Sequence, residues 1–127
     1  MSEKKKILVV DDELDILAYL VALFQDSGYD TVTAQNGVEA LEKAKSEKPD
    51  LISLDMAMPE QSGVRTYRAL KDDPTLKSIP IIVVTGVGEE METYLSKMKA
   101  FGKPAGFMAK PIIPEDLVAM TRNILKA

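Results

Sequence analysis

Five polar residues suited to phosphoryl chemistry stand at the ends of short apolar runs in this sequence. Asp11 and Asp12 follow the first run, Asp55 follows the third, Thr85 comes at the end of the fourth, and Lys110 follows the fifth. Carboxylate oxygens are the ligands that Mg2+ prefers, and a carboxylate can itself accept a phosphoryl group. Because phosphoryl transfer requires mainly positioning and charge neutralisation, an ammonium and a hydroxyl group complete a plausible set.

The apolar runs are separated by longer amphipathic segments along the whole chain. Ile, Val and Leu dominate three of the runs, which is typical of strands buried on both faces of a parallel sheet. The second run is short and half polar, so we expect it at an edge of the sheet. The runs are Ile7–Val10, Thr31–Ala34, Leu51–Leu54, Ile81–Val84 and Phe107–Ala109.

Five helices are predicted between and after these runs. The first spans Leu14–Ser27 and stops at Gly28, and Asn36 with Glu39 forms a candidate capping box for the second, Gly37–Ser46. Leu14, Leu17, Val21 and Phe24 form the apolar stripe of the first helix. Ser62 is the candidate cap of the third helix. The fourth helix is marked by Met91, Tyr94, Leu95 and Met98. The fifth begins at Pro114, and its inner face consists of Leu117, Met120 and Ile124.

This alternation predicts a single α/β domain over residues 1–127. Its architecture would be a doubly wound, five-stranded parallel sheet of order 2-1-3-4-5, flavodoxin-like, with five helices on two faces. Ligands of such sheets bind beyond the carboxyl ends of the strands, at the point where the strand order switches. The three acidic residues therefore meet at one edge of the sheet, and Thr85 and Lys110 approach from the neighbouring side.

Three carboxylates at one sheet edge require positive charge nearby. Two like charges 4 Å apart repel by about 4 kcal/mol at an effective dielectric constant of roughly 20. Lys110 supplies one positive charge, and a divalent cation would supply the rest. Mg2+ suits the site best, with Mn2+ also possible, held by Asp12 and Asp55 directly and by Asp11 through water. Asp55 would accept the phosphoryl group.

Each of these residues also has an explanation without function. Asp12 alone is readily interpreted as the N-cap of the first helix, with Asp15 at N3. Asp55 could be a turn residue, Thr85 a β-branched strand residue, and Lys110 a solvated lysine. Their joint position at one edge of one sheet favours a site over coincidence.

Four motifs in order resemble the receiver domain of two-component response regulators over essentially the whole chain. They are VVDDE at 9–13, LDMAMPEQSG at 54–63, VVTG at 83–86 and FMAKP at 107–111. The resemblance implies that Asp55 is the phosphoacceptor. It also implies that Asp11 and Asp12 are the magnesium pair, with the Ala57 carbonyl as a further ligand.

The resemblance assigns roles to the last two motifs as well. Thr85 is expected to be the switch hydroxyl and Lys110 the phosphate-binding lysine, and the Lys110–Pro111 peptide bond is expected to be cis. Phe107 matches the switch aromatic, although it could equally be a core residue of the last strand. Phosphorylation would draw Thr85 inward and let Phe107 occupy the vacated space, which shifts an existing equilibrium.

Composition indicates the partners. The chain contains no histidine, so the phosphohistidine donor of this family would be a separate sensor histidine kinase or histidine phosphotransferase. A surface of the fourth helix, fifth strand and fifth helix is expected to contact an unidentified downstream protein. We expect a regulatory phosphoacceptor that is not an enzyme. The sequence ends directly after the fifth helix: a complete protein of this length would act by binding another protein or as a carrier in a phosphorelay, whereas an excised receiver would lack its output domain.

Several other classes are disfavoured by composition. The net charge is −4, and the only basic run is Lys4–Lys6, so nucleic-acid binding is not expected. No apolar run approaches the ~18 residues that a membrane span needs, and no leader is indicated, so we expect a cytoplasmic monomer or weak dimer. The absence of cysteine excludes disulfides and thiolate metal sites.

Three alternative functions share some of these residues. A magnesium-dependent phosphatase that forms an aspartyl-phosphate would use the same set, but we expect a second acid two residues after its nucleophile, where this chain has Ala57. A degenerate receiver acting as a scaffold is disfavoured by the intact acidic residues. A nucleotide-binding module is disfavoured because neither G-x-G-x-x-G nor G-x-x-x-x-G-K-[ST] occurs.

Overall fold

A computed structural model describes residues 4–56, 58, 62–86 and 104–126 of the chain. Strands and helices alternate through the first half, as the sequence predicts. The elements of the described residues are β1 (Lys6–Val10), α1 (Leu14–Asp26), β2 (Asp30–Ala34), α2 (Gly37–Glu47), β3 (Leu51–Leu54), α3 (Ser62–Asp72), β4 (Ile81–Thr85), β5 (Gly106–Ala109) and α4 (Pro114–Leu125).

All five strands form one parallel sheet in the order β2-β1-β3-β4-β5. The predicted order and the edge position of the second strand are therefore confirmed. Ile7 of β1 pairs with Thr31 on one side and Leu51 on the other. Because β1 is flanked by β2 and β3, the strand order switches direction beside β1, and the crevice expected at such a point lies above β1 and β3.

Alternate residues of each strand enter two separate hydrophobic layers, as the pleat of a strand requires. Leu8 and Val10 of β1 belong to the layer covered by α2 and α3. Ile7 and Val9 belong to the opposite layer, covered by α1 and α4. Both faces of the sheet are thus closed by helices, which explains why Ile7–Val10 of β1 and Ile81–Val84 of β4 are apolar without alternation.

Helix α1 differs from its prediction at its amino end. Its buried residues are Leu17, Leu20 and Phe24, whereas Leu14 is 65% exposed. The predicted stripe was wrong at Leu14 because this residue opens the helix beyond the carboxyl ends of the five described strands, so its side chain faces solvent. The N-cap position belongs to Glu13, so the interpretation of Asp12 as the N-cap is also wrong.

The capping box of α2 is confirmed. The Asn36 side chain accepts a hydrogen bond from the Glu39 N–H at 2.9 Å, and the Glu39 carboxylate accepts one from the Gln35 N–H at 3.2 Å. Pro114 opens α4 as predicted, and Leu117 is its buried core residue. The predicted third helix begins at Ser62 itself, so this residue is inside the helix and does not precede it.

Some predicted features lie outside the described residues. They are the fourth predicted helix, marked by Met91, Tyr94, Leu95 and Met98, and the carbonyl of Ala57. Among the helices that the structure describes, none combines the length and apolar content needed to cross a lipid bilayer.

Tyr67 of α3 gives the fold a dependence on high pH. Its side chain is fully buried, and burial raises its pKa to about 12 from an ordinary value of 10.0. The folded state therefore retains a proton that the unfolded state releases above pH 10. The free energy of unfolding therefore keeps this contribution in full below pH 10 and loses it as the pH rises to 12. The total loss is roughly 2.7 kcal/mol for two pKa units.

We expect urea unfolding to detect this loss as a difference between the wild type and Tyr67→Phe. Between pH 9 and pH 11 the free energy of unfolding of the wild type should fall by about 1.4 kcal/mol more than that of the variant. Tyr19, which is 43% exposed, provides the control, since Tyr19→Phe should follow the wild type. Parallel curves for wild type and Tyr67→Phe would contradict the prediction.

Candidate functional site

The backbone of the sheet holds two acidic residues in fixed positions beyond the ends of β1 and β3. The Asp11 N–H donates to the Ala34 carbonyl at 3.1 Å, and the Asp55 N–H donates to the Val10 carbonyl at 3.0 Å. Both bonds extend the ladder of the parallel sheet by one residue. Asp11 and Asp55 therefore belong to the rigid sheet, and the residues that follow them leave it.

Four carboxylates meet above this edge. Asp11, Asp12, Glu13 and Asp55 each place one oxygen so that all lie within 4.8 Å of one another. Asp11 is 1% exposed and Asp55 is 2% exposed, whereas Asp12 and Glu13 face solvent. Two of the four negative charges are thus removed almost completely from water, which is unfavourable unless positive charge lies close to them.

Lys110 supplies such a charge. Its ammonium nitrogen lies 3.3 Å from Oδ2 of Asp11, 3.7 Å from Oδ2 of Asp55 and 4.0 Å from Oε1 of Glu13. β5 is two strands away from β3, a separation of about 10 Å at the usual strand spacing. The long lysine side chain is therefore needed to cross the end of β4 and reach the acidic residues.

Gly86, directly after β4, lies beneath that crossing. A Cβ atom added at Gly86 would lie 3.9 Å from both Cβ and Cδ of Lys110, in ordinary van der Waals contact. Glycine at this position leaves the space beside the lysine stem open.

Gly63 brings helix α3 against the backbone that carries Asp55. A Cβ atom at Gly63 would lie 2.5 Å from the Asp55 carbonyl oxygen and 2.5 Å from Cα of Met56. Real side chains do not approach backbone atoms so closely, so only glycine allows this packing. The first turn of α3 thus fixes the segment that follows β3.

The charges of the cluster suit a hard divalent cation. The four carboxylates together carry four formal negative charges against one on Lys110. The ligand atoms are all oxygens, and no cysteine or histidine exists in the chain to select a softer metal. The residues therefore fit Mg2+, or Mn2+, as the sequence predicts.

The structure brings together four of the residues that the sequence selects: Asp11, Asp12, Asp55 and Lys110. Thr85 is the last residue of β4 and pairs with Ala109, the residue before Lys110, and its side chain lies outside the described part. Phe107 is partly buried against the layer beneath α2 and α3, as a core residue of the last strand would be. The Lys110–Pro111 peptide bond is cis.

Glu13 is the member of the cluster that the sequence analysis did not select. It stands in the VVDDE motif directly after Asp12, so a third consecutive acid was the available signal. The sequence alone does not show that Glu13 lies beside Lys110, because the two residues are 97 positions apart.

Residues 7–122 match the family described as the response regulator receiver domain. The chain belongs to this family. Receiver domains are part of the response regulators of two-component signalling, which agrees with the motifs from which the resemblance was inferred.

Two relatives of this receiver domain differ in how much of their own length the chain covers. It is 39% identical over 125 residues to the alkaline phosphatase synthesis transcriptional regulatory protein PhoP of Bacillus subtilis, covering 96% of this chain and 49% of PhoP. It is 39% identical over 104 residues to the polar-differentiation response regulator DivK of Brucella anthropi, covering 74% of this chain and 84% of DivK. The chain thus spans about half the length of PhoP.

A solved structure shows the same fold. The chemotaxis protein CheY4 of Vibrio cholerae superimposes with a TM-score of 0.85 at 31% sequence identity, covering 96% of this chain and 99% of CheY4. The similarity over nearly the full length of both chains confirms the flavodoxin-like architecture of this receiver domain.

Proposed function

We propose that Asp55 accepts a phosphoryl group from a phosphohistidine on a partner protein and that this modification changes a protein-binding surface. The observation that carries the proposal is the pairing of Asp55 and Asp11, both almost fully buried, with the ammonium of Lys110. A purely structural ion pair would need one acid for one lysine. Here the acids exceed the lysine, as a site that receives a cation and a phosphoryl group requires.

The transfer step uses the position of Asp55. One carboxylate oxygen forms the new P–O bond while the P–N bond of the donor breaks, and the electron pair of that bond returns to the imidazole nitrogen. Since Lys110 already lies 3.7 Å from Oδ2 of Asp55, its ammonium can pair with a phosphoryl oxygen without a large movement. Its interaction with Asp11 holds it there beforehand, which lowers the cost of positioning.

Asp11, Asp12 and Asp55 would hold Mg2+, with the Ala57 carbonyl as a further ligand. When bound, the cation supplies charge neutralisation for the phosphoryl oxygens. Asp12 is exposed to solvent, so a cation could first contact the site at this carboxylate. Asp11 also accepts a hydrogen bond from the Glu13 N–H at 2.9 Å, which orients its carboxylate.

The donor and the output are further parts of the proposal. Because the chain has no histidine, the donor is a sensor histidine kinase or a histidine phosphotransferase. Thr85 would respond to the phosphoryl group and Phe107 would repack, shifting the equilibrium between two arrangements of β5 and its neighbouring helices. A downstream protein would recognise the surface formed by the fourth predicted helix, β5 and α4.

Incubation with acetyl phosphate and Mg2+, followed by intact-mass measurement, tests the chemistry directly. We expect the mass of one phosphoryl group to be added to the wild type and not to Asp55→Asn. Asp50→Asn provides a matched control at an acid that accepts a hydrogen bond from the Lys6 N–H at 2.8 Å, at the opposite edge of the sheet, and it should be modified like the wild type.

Two results would contradict the proposal. Equal phosphorylation of Asp55→Asn would show that another residue is modified. Continuous release of phosphate from small organic phosphates, with many turnovers per protein molecule, would instead identify a phosphatase.

A further inference from the structure

Glu13 extends the acidic cluster toward solvent. Its carboxylate belongs to the group whose oxygens lie within 4.8 Å of one another, and it lies 4.0 Å from the ammonium of Lys110. Unlike Asp11 and Asp55, its side chain is 64% exposed. It therefore stands at the entrance of the site.

The local structure around Glu13 favours this position. Glu13 is the N-cap residue of α1, yet its side chain makes no capping hydrogen bond. Its backbone N–H donates to Oδ1 of Asp11 at 2.9 Å, which ties the start of the helix to a buried acid of the site. Glutamate is not among the side chains that favour this capping position, and the carboxylate of Glu13 lies 4.0 Å from the Lys110 ammonium instead.

We propose that Glu13 is a positioning residue that controls what enters the site: it strengthens the binding of a divalent cation and slows the arrival of an anionic phosphodonor. This inference rests on the proposed function of Asp55. Glu13 acts through Lys110 and through its own negative charge, and it need not contact the reacting atoms.

The two effects have opposite signs because they have one electrostatic cause. A negative charge near the entrance attracts a cation and repels a phosphoryl dianion, and the same carboxylate competes with the phosphoryl group for Lys110. Since Glu13 is exposed, water and salt screen its charge, and each effect should be modest and smaller at high ionic strength.

The cation arm of the test uses isothermal titration calorimetry with Mg2+ alone at low ionic strength. We expect Glu13→Gln to raise the Kd for Mg2+ by about threefold to tenfold. Asp15→Asn is the matched control, because Asp15 also lies in the first turn of α1 and is exposed. It removes the same charge from the same helix end outside the cluster and should change the Kd by less than about twofold.

The donor arm measures phosphorylation of Asp55 by acetyl phosphate at saturating Mg2+. Glu13→Gln should be phosphorylated about threefold faster than wild type, and Asp15→Asn at the wild-type rate within about 1.5-fold. Thermal unfolding of both variants would show whether either substitution perturbs the helix.

The outcomes separate this inference from the proposal for Asp55. If Glu13→Gln and Asp15→Asn shift the Kd for Mg2+ equally, or if Glu13→Gln slows phosphorylation, the role of Glu13 is overturned even when Asp55 is modified. If the wild type is not phosphorylated at all, the function of Asp55 fails, while the cation arm still decides whether Glu13 strengthens cation binding.

Discussion

Replacing Lys110 with methionine is expected to lower the free energy of unfolding by about 3 kcal/mol in the absence of divalent cations. The lysine ammonium is the positive group within 4.0 Å of Asp11 and Asp55 in the described part of the chain, and both acids are buried. Methionine keeps most of the stem volume and removes the charge, so the repulsion between the two carboxylates would lose the compensation that the lysine ammonium provides. Urea unfolding at pH 8 in the presence of EDTA measures the loss.

A surface lysine controls for the general effect of this substitution. Lys45 lies 3.6 Å from Asp73, and its side chain is 62% exposed. Because exposed ion pairs contribute little, Lys45→Met should cost less than about 1 kcal/mol. Equal losses for Lys110→Met and Lys45→Met would mean that the buried acids do not depend on Lys110.

Added Mg2+ should reverse much of the loss in Lys110→Met. A ligand that binds only the folded state at about 100 times its Kd stabilises that state by roughly 2.7 kcal/mol. Without Lys110 the cation no longer competes with this ammonium for the carboxylates, so Mg2+ should stabilise the variant more than the wild type. Lys110→Met is nevertheless expected to be phosphorylated slowly, because the ammonium that pairs with the phosphoryl group is absent.

Stability and the proposed chemistry depend on the same buried charges at the carboxyl ends of the strands. Asp11 and Asp55 are almost inaccessible to water, and their burial opposes folding unless a cation or Lys110 offsets it. The same uncompensated charge makes the site receptive to Mg2+. The fold therefore tolerates two buried carboxylates close together, and the proposed chemistry uses the same two carboxylates.

The sequence predicted the sheet and most of the acidic cluster because both depend on regular rules. Strands buried on both faces are continuous apolar runs, and parallel strands place their carboxyl ends at one edge. Asp11 and Asp55 directly follow such runs, so their meeting required only the strand order. Lys110 could be assigned in the same way because the fifth run ends before it.

Other features depended on distances that no local pattern encodes. Leu14 continues the apolar spacing of α1 but lies beyond the edge of the sheet, which the spacing cannot reveal. In the sequence Glu13 is one more exposed acid, whereas in the structure its carboxylate lies 4.0 Å from the Lys110 ammonium. Gly63 ends the LDMAMPEQSG motif without a predicted role of its own, whereas the structure places it where α3 approaches the backbone of Asp55.

Gly63→Ala is expected to lower the free energy of unfolding by about 3 kcal/mol. The added methyl group would lie 2.5 Å from the Asp55 carbonyl oxygen and 2.8 Å from the carbonyl carbon of Met56. Both are backbone atoms and cannot turn away as a flexible side chain could, so α3 must shift or the segment after β3 must move. Urea unfolding in EDTA measures the loss.

Gly86→Ala distinguishes this clash from the general effect of replacing glycine. Its methyl group would lie 3.9 Å from carbon atoms of Lys110, so its stability should change by less than about 1 kcal/mol. Gly63→Ala should also weaken Mg2+ binding and phosphorylation, because moving the Asp55 backbone separates its carboxylate from Asp11. If Gly63→Ala were destabilised yet bound Mg2+ like the wild type, α3 would have yielded while the segment after β3 stayed in place. If both variants matched the wild type in stability, the close approach would not constrain the fold.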